Sequence, residues 1–155
     1  MSDLPSRADF PAVSGGLEIH CGTLDCHGNT VRNFRIYGHY GQRLNQTVGL
    51  TGTTDDEHTA TYESIVSIQP EVLSQIVRDH GARPERWIVI TKGRGTEHHK
   101  GDRRMTKGDA LDTCILSWLA GGRGAGPGDA GGGSVNQNAC NQAAIVGPPS
   151  VDGGF

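Results

Sequence analysis

Large apolar side chains are scarce in this sequence. Leu, Ile, Val and Phe make up about a fifth of the 155 residues and aromatics 5%, near the level at which a chain lacks the apolar surface to offset its own ordering entropy. Long hydrophobic runs are missing too. Nothing approaches the roughly 18 to 20 consecutive apolar residues of a membrane span, and the opening "MSDLPSRADFPAVSGG" lacks the apolar stretch of a secretory signal. Charge of one sign is also absent: 14 Lys and Arg oppose 17 Asp and Glu, for a net −3, which excludes a charge-swollen disordered polymer. Three catalytic signatures are not found: the Gly-x4-Gly-Lys-Ser/Thr phosphate loop, the Gly-x-Ser-x-Gly nucleophile turn, and the His-x-Glu with Pro-Cys-x-x-Cys of zinc deaminases. These absences lead to the expectation of one domain, no membrane contact and no cofactor. Such a chain would be cytoplasmic on synthesis and kept in a reducing compartment, with its four cysteines as thiols.

What is abundant is glycine, with 24 residues, many of them punctuating short apolar runs. Leu17, Ile19 and Cys21 alternate, as do Phe34 and Ile36, and "HTATYESIVSI" supplies Tyr62, Val66 and Ile68. Intervals this short predict an antiparallel β-meander, because crossover helices would not fit between the runs. Two helices are expected. "QPEVLSQIVRDHG" places Pro70 in a first turn and Val72, Leu73, Ile76 and Val77 on one stripe before Gly81. In "TKGDALDTCILSWLAGG", Thr106 and Asp109 resemble a capping pair, and Leu111, Cys114, Ile115, Trp118 and Leu119 form an apolar face. "RWIVIT", residues 86 to 91, reads as a buried central strand. The predicted fold is therefore α+β, a meander sheet packed on two amphipathic helices. Residues 1–16 form an N-terminal arm, 17–120 the core domain, and 121–155 a Gly-rich C-terminal arm.

The stretch "HCGTLDCH", residues 20 to 27, is the first candidate for chemistry. As a hairpin it would pair Cys21 with Cys26 on one face and His20 with His27 on the other, so the four could not share one ion. Cys21 and Cys26 could instead form half of a zinc site, or a cross-strand disulfide. The remaining half of a zinc site is hard to find, since Cys114 lies on a helix face and Cys140 stands alone in the Gly-rich segment. Asp55, Asp56, Glu57 and His58 could bind a divalent cation, or simply form an acidic turn.

The most charged stretch, residues 92 to 107, holds Lys92, Arg94, Lys100, Arg103, Arg104 and Lys107, enough cations to contact the phosphates of RNA or DNA. It carries no aromatics on which bases could stack. His98, His99 and Lys100 offer a metal-independent ribonuclease or phosphodiesterase, with His39 or His58 completing an acid–base pair. The preferred reading is a self-assembling structural subunit of virion type, a coat, tail or shell protein, in which a small private core is supplemented by neighbouring copies. Ile145, Val146 and Phe155 would anchor the C-terminal arm on those copies, and the basic loop would face packaged nucleic acid. A zinc-stabilised adaptor built on Cys21 and Cys26 is the other alternative.

Overall fold

A computed structural model describes residues 3–48, 51–121 and 135–147. Among them are six α-helices: α1 (Phe10–Cys21), α2 (Asp55–Val66), α3 (Pro70–Arg78), α4 (Ile88–Gly93), α5 (Ala110–Gly121) and α6 (Gln137–Ala143). No strand occurs among the described residues, and one isolated bridge joins Tyr37 to Gln42. The expected α+β meander is thus overturned: the protein is helical, and each run that alternated like a strand has a helical or irregular explanation.

α1 shows why. Its buried side is Phe10, Val13, Ser14, Leu17 and His20, a three-to-four-residue period that outweighs the local alternation of Leu17, Ile19 and Cys21. The supposed N-terminal arm is helical from residue 10, opened by Pro11 in its first turn. Its glycines serve contact. A Cβ on Gly16 would stand 2.9 Å from Leu111 Cδ1 and 3.0 Å from Ala143 Cβ, so the bare backbone lets α5 and α6 come close. α2, read as a strand, begins instead with a capping box: the Thr54 hydroxyl accepts the Glu57 N–H and the Glu57 carboxylate accepts the Thr54 N–H. The Glu57 carboxylate also accepts a two-pronged ion pair from Arg43 at 2.8 and 3.0 Å. Residues 86–91 are not a strand either. Trp87 is fully buried, its Nε1–H donates to the Ile68 carbonyl at 2.7 Å, and Ile88 begins the six-residue α4.

α3 and α5 lie where helices are expected. All five residues of the proposed α5 face are buried, and the cap is Asp109, which accepts the N–H of Asp112, rather than Thr106. Phe10 of α1, Tyr62 of α2 and Trp118 of α5 meet with ring centroids 5.2 to 6.3 Å apart, and around them runs a continuous apolar core to which every helix contributes.

The Gly-rich C-terminal segment is not wholly an arm. Asn136 caps α6 by accepting the Ala139 N–H, Cys140 and Ala143 are fully buried, and α6 packs on α1 and α5. Cys140 is bonded to Cys114 as a disulfide, which corrects the expectation of four thiols. Of the proposed anchors, Ile145 and Val146 are exposed, and Phe155 lies outside the described residues.

Candidate cofactor site

Chain direction reverses sharply where α1 ends. His27 N–H donates to the Cys21 carbonyl at 2.9 Å, while Cys26 and Gly28 N–H both donate to Thr23 O. Residues 21 to 28 therefore curl into one compact loop rather than a hairpin. Glycines are required at its base: a Cβ on Gly28 would lie 1.9 Å from the Gly22 carbonyl oxygen, and one on Gly41 2.0 Å from the same atom. Arg32 closes the outside, donating from Nε to the Cys26 carbonyl and from Nη2 to that of Asp25.

The two histidines of the loop have separate fates. His20 faces inward, its Nδ1 against the Arg104 carbonyl at 2.8 Å and its Nε2 against those of Val146 (2.8 Å) and Ala143 (3.2 Å). It fastens the loop before α5 and the end of α6 onto α1. His27 hydrogen-bonds through Nδ1 to the Phe34 carbonyl at 2.9 Å; because a carbonyl only accepts, Nδ1 carries the proton and Nε2 keeps its lone pair. No hydrogen bond engages Nε2 among the described residues. Burial pushes the His27 pKa down, against the pull of that carbonyl, with the charges of His99 and Arg32 adding to the fall, so the ring is neutral near pH 7.

Cys21, His27 and Phe34 open onto an apolar cavity of about 380 Å³, within the ~300–1,000 Å³ common for cofactor sites. Leu17, Ile68, Ile88, Leu111 and Ile115 supply much of its wall. Met105, 2% exposed, lines it too, held in place where the N–H groups of Arg104 and Met105 both donate to the Gly93 carbonyl. A second hollow of about 350 Å³, with charged side chains on its wall, shares His27, Arg32, His99 and Arg104 with the first and adds Cys26, Asp25 and Lys100. The site is thus an apolar chamber adjoining a hollow lined by cations, and the Cys-x4-Cys-His loop borders both.

Both thiols here are free. Cys21 is half-buried as a residue, and burial pushes its thiol up to about 12, partly opposed by the nearby Arg104. The zinc reading finds no further ligands: no group of three or more His, Cys, Asp or Glu side chains converges on one point among the described residues. Asp55, Asp56, Glu57 and His58 lie in the first turn of α2, where Glu57 is occupied by Arg43 and the cap.

The basic stretch is divided by the structure. Arg94 makes a two-pronged, largely buried ion pair with Asp112 at 2.8 and 2.9 Å. Lys92 pairs with Glu97 at 3.1 Å. Lys100, Arg103 and Lys107 are exposed, whereas Arg104 reaches the chamber with its Nε buried and unpartnered. His98 is exposed. The ring that His99 meets is neither His39 nor His58 but His27, stacked at 5.8 Å and 11°.

No protein-family model, curated protein or solved structure matches the chain.

Sequence reasoning reached Cys21, Cys26 and His27 but not the apolar cavity that Cys21 and His27 share with Met105. The signal that sets His27 apart from His20 is that it directly follows Cys26 and lies beyond the end of α1. Met105 carried no local signal beyond being one of two methionines.

Proposed function

We propose that this chain is a covalent haem protein that carries single electrons. The observation that carries the reading is one loop whose Cys21 and His27 line an apolar cavity with a buried methionine in its wall, while Cys26 of the same loop lines the adjoining hollow. Each thiol would add across one vinyl group of the porphyrin: a carbon–sulfur bond forms, the thiol hydrogen goes to the other vinyl carbon, and the double bond is lost. This addition is redox-neutral and needs no outside oxidant. His27, with Nε2 open and its tautomer fixed by the Phe34 carbonyl, would supply an imidazole to the iron. Met105 would supply a thioether from the same cavity wall, and such a pair would raise the reduction potential. The haem supplies the one-electron chemistry; the protein provides attachment, an apolar surrounding and exclusion of water.

Two features of this chain bear on the reading. The spacing between the cysteines is four residues rather than two, and the N–H groups of Cys26 and Gly28 both turn back onto the Thr23 carbonyl. Cys114 and Cys140 are bonded while Cys21 and Cys26 stay free. A disulfide fits an oxidising compartment, and there two neighbouring thiols need another use, which attachment provides. No described helix is long and apolar enough to cross a membrane.

The test is direct. The full chain, produced in cells with an active haem-attachment apparatus and also incubated in reduced form with haem, is denatured and extracted with acidified solvent. Haem absorbance should stay with the polypeptide, and Cys21→Ser with Cys26→Ser should abolish it. A chain that gives up all its haem, or never takes any by either route, refutes the reading.

The self-assembling shell subunit is a second reading, favoured by the exposed Ile145 and Val146. Light scattering on the purified chain tests it, with a large homo-oligomer as its expected result.

A further inference from the structure

We infer, independently of the haem reading, that before any haem is attached the apolar chamber is a binding site for an amphipathic carboxylate, its aliphatic chain along the wall and its head group on the Arg104 guanidinium. Charge on the lining is one-sided. Arg32, Lys92 and Arg104 all border the chamber, and no Asp or Glu does. Two of these cations are already engaged. Arg32 donates from Nε to the Cys26 carbonyl and from Nη2 to that of Asp25, while Lys92 pairs with Glu97 at 3.1 Å and donates to the His98 carbonyl at 3.0 Å. Arg104 is not. Its Nε is buried without a hydrogen bond, and its guanidinium joins no ion pair among the described residues. Its charge lies close enough to Cys21, another lining residue, to oppose the rise that burial gives that thiol.

Backbone contacts hold Arg104 where it is. Its N–H donates to the Gly93 carbonyl at 2.8 Å, and its own carbonyl faces His20 Nδ1 at 2.8 Å, so the residue is fixed between α4 and α1. A buried N–H without an acceptor and a cation without an anion on an apolar wall each cost stability. A water molecule would satisfy the N–H but leave the charge unpaired. A carboxylate answers both, through a charge-assisted hydrogen bond. The wall then dictates what that carboxylate must carry: Leu17, Ile68, Ile88, Val89, Leu111 and Ile115 offer branched aliphatic groups with no hydrogen-bonding side chain, so the rest of the ligand must be apolar. A volume of about 380 Å³ limits it to a small molecule.

The full chain, produced without haem, is titrated by calorimetry with hexanoate, octanoate and decanoate at about pH 7.5, where a carboxylic acid is ionised. Decan-1-ol and decyltrimethylammonium serve as the neutral and cationic counterparts. Kd should fall about four-fold for each methylene added, and neither counterpart should match decanoate. Arg104→Gln should weaken decanoate about ten-fold while leaving decan-1-ol unchanged. Val89→Phe, which fills the chamber from a half-buried position, should abolish binding of octanoate and decanoate with Arg104 intact. Circular dichroism identifies the variants that fold, and the wild-type series decides without them. Absence of decanoate binding, decan-1-ol binding as tightly as decanoate, or affinity independent of chain length overturns the site and leaves the haem reading standing. Decanoate bound by a chain that never takes haem keeps the site and removes the haem reading. Where both hold, saturating decanoate should slow haem uptake, because one chamber cannot hold the two; uptake that ignores it overturns the placement on Arg104.

Discussion

Met105 is enclosed by protein on every side but the chamber, and its removal should act in two ways. On the proposed haem reading, Met105→Ala is expected to leave haem attached, because Cys21 and Cys26 would make the bonds, but to lower the midpoint potential in a voltammetric titration. The empty space should also cost about 2–5 kcal/mol of stability. Gly28→Ala acts on the other wall: a methyl group cannot share space with the Gly22 carbonyl oxygen, so the loop must open, and haem attachment should fall with it. His58 is a pH-sensitive position away from the site. Its Nδ1 is buried without a partner, and burial holds its pKa below the ordinary value against the pull of Asp55 and Glu57. A histidine whose pKa is lowered by folding contributes stability at pH above its unfolded value, about 6.5, and loses that contribution as pH falls below it. Urea denaturation at about pH 7.5 and 5.5 should therefore show the gap between wild type and His58→Phe shifting in the variant's favour at the lower pH. Legibility at this scale was uneven. Cys21 and Cys26 announced themselves, but His20 and His27 looked equivalent in "HCGTLDCH" until the helix end separated them, one turned to backbone carbonyls and one left with an open nitrogen.

The elements show where periodicity misled. α3 and α5 were readable because each presents a single apolar stripe with punctuation at its ends. α1 was not, since Gly15 and Gly16 interrupt its apolar pattern, whereas in the structure Gly16 is a contact surface for α5 and α6. In α2 the capping box Thr54–Glu57 was present in the sequence but was overshadowed by β-branched residues, and the apolar run at 86–91 is too short for period to decide between strand and helix. α6 had no apolar pattern at all; a disulfide and two helices hold it. That bond yields a prediction at this scale. Cys114→Ala with Cys140→Ala should lower stability by about 2–4 kcal/mol, measured by denaturant unfolding. Ending the chain after Ala120 should do more than detach an arm, because it removes α6, its buried Cys140 and Ala143, and the carbonyls that face His20.

For the whole molecule, composition suggested a core too small to stand alone. The structure gathers most of its large apolar residues in one cluster, with the three rings of Phe10, Tyr62 and Trp118 touching and the disulfide bracing their surroundings. Counting aliphatic residues measures how much can be buried but not how completely it is buried. Light scattering then separates two outcomes, a monomer as expected of a diffusing electron carrier, or the large oligomer of a shell subunit.

The Cys114–Cys140 bond closes a ring of chain around Arg123. Trypsin cutting after that arginine would divide the backbone without separating the pieces, so a nicked sample should migrate as one species on a non-reducing gel and lose its C-terminal fragment once a thiol reagent is added. Sulfur, not peptide, would then be the continuous thread from the first helix to the last.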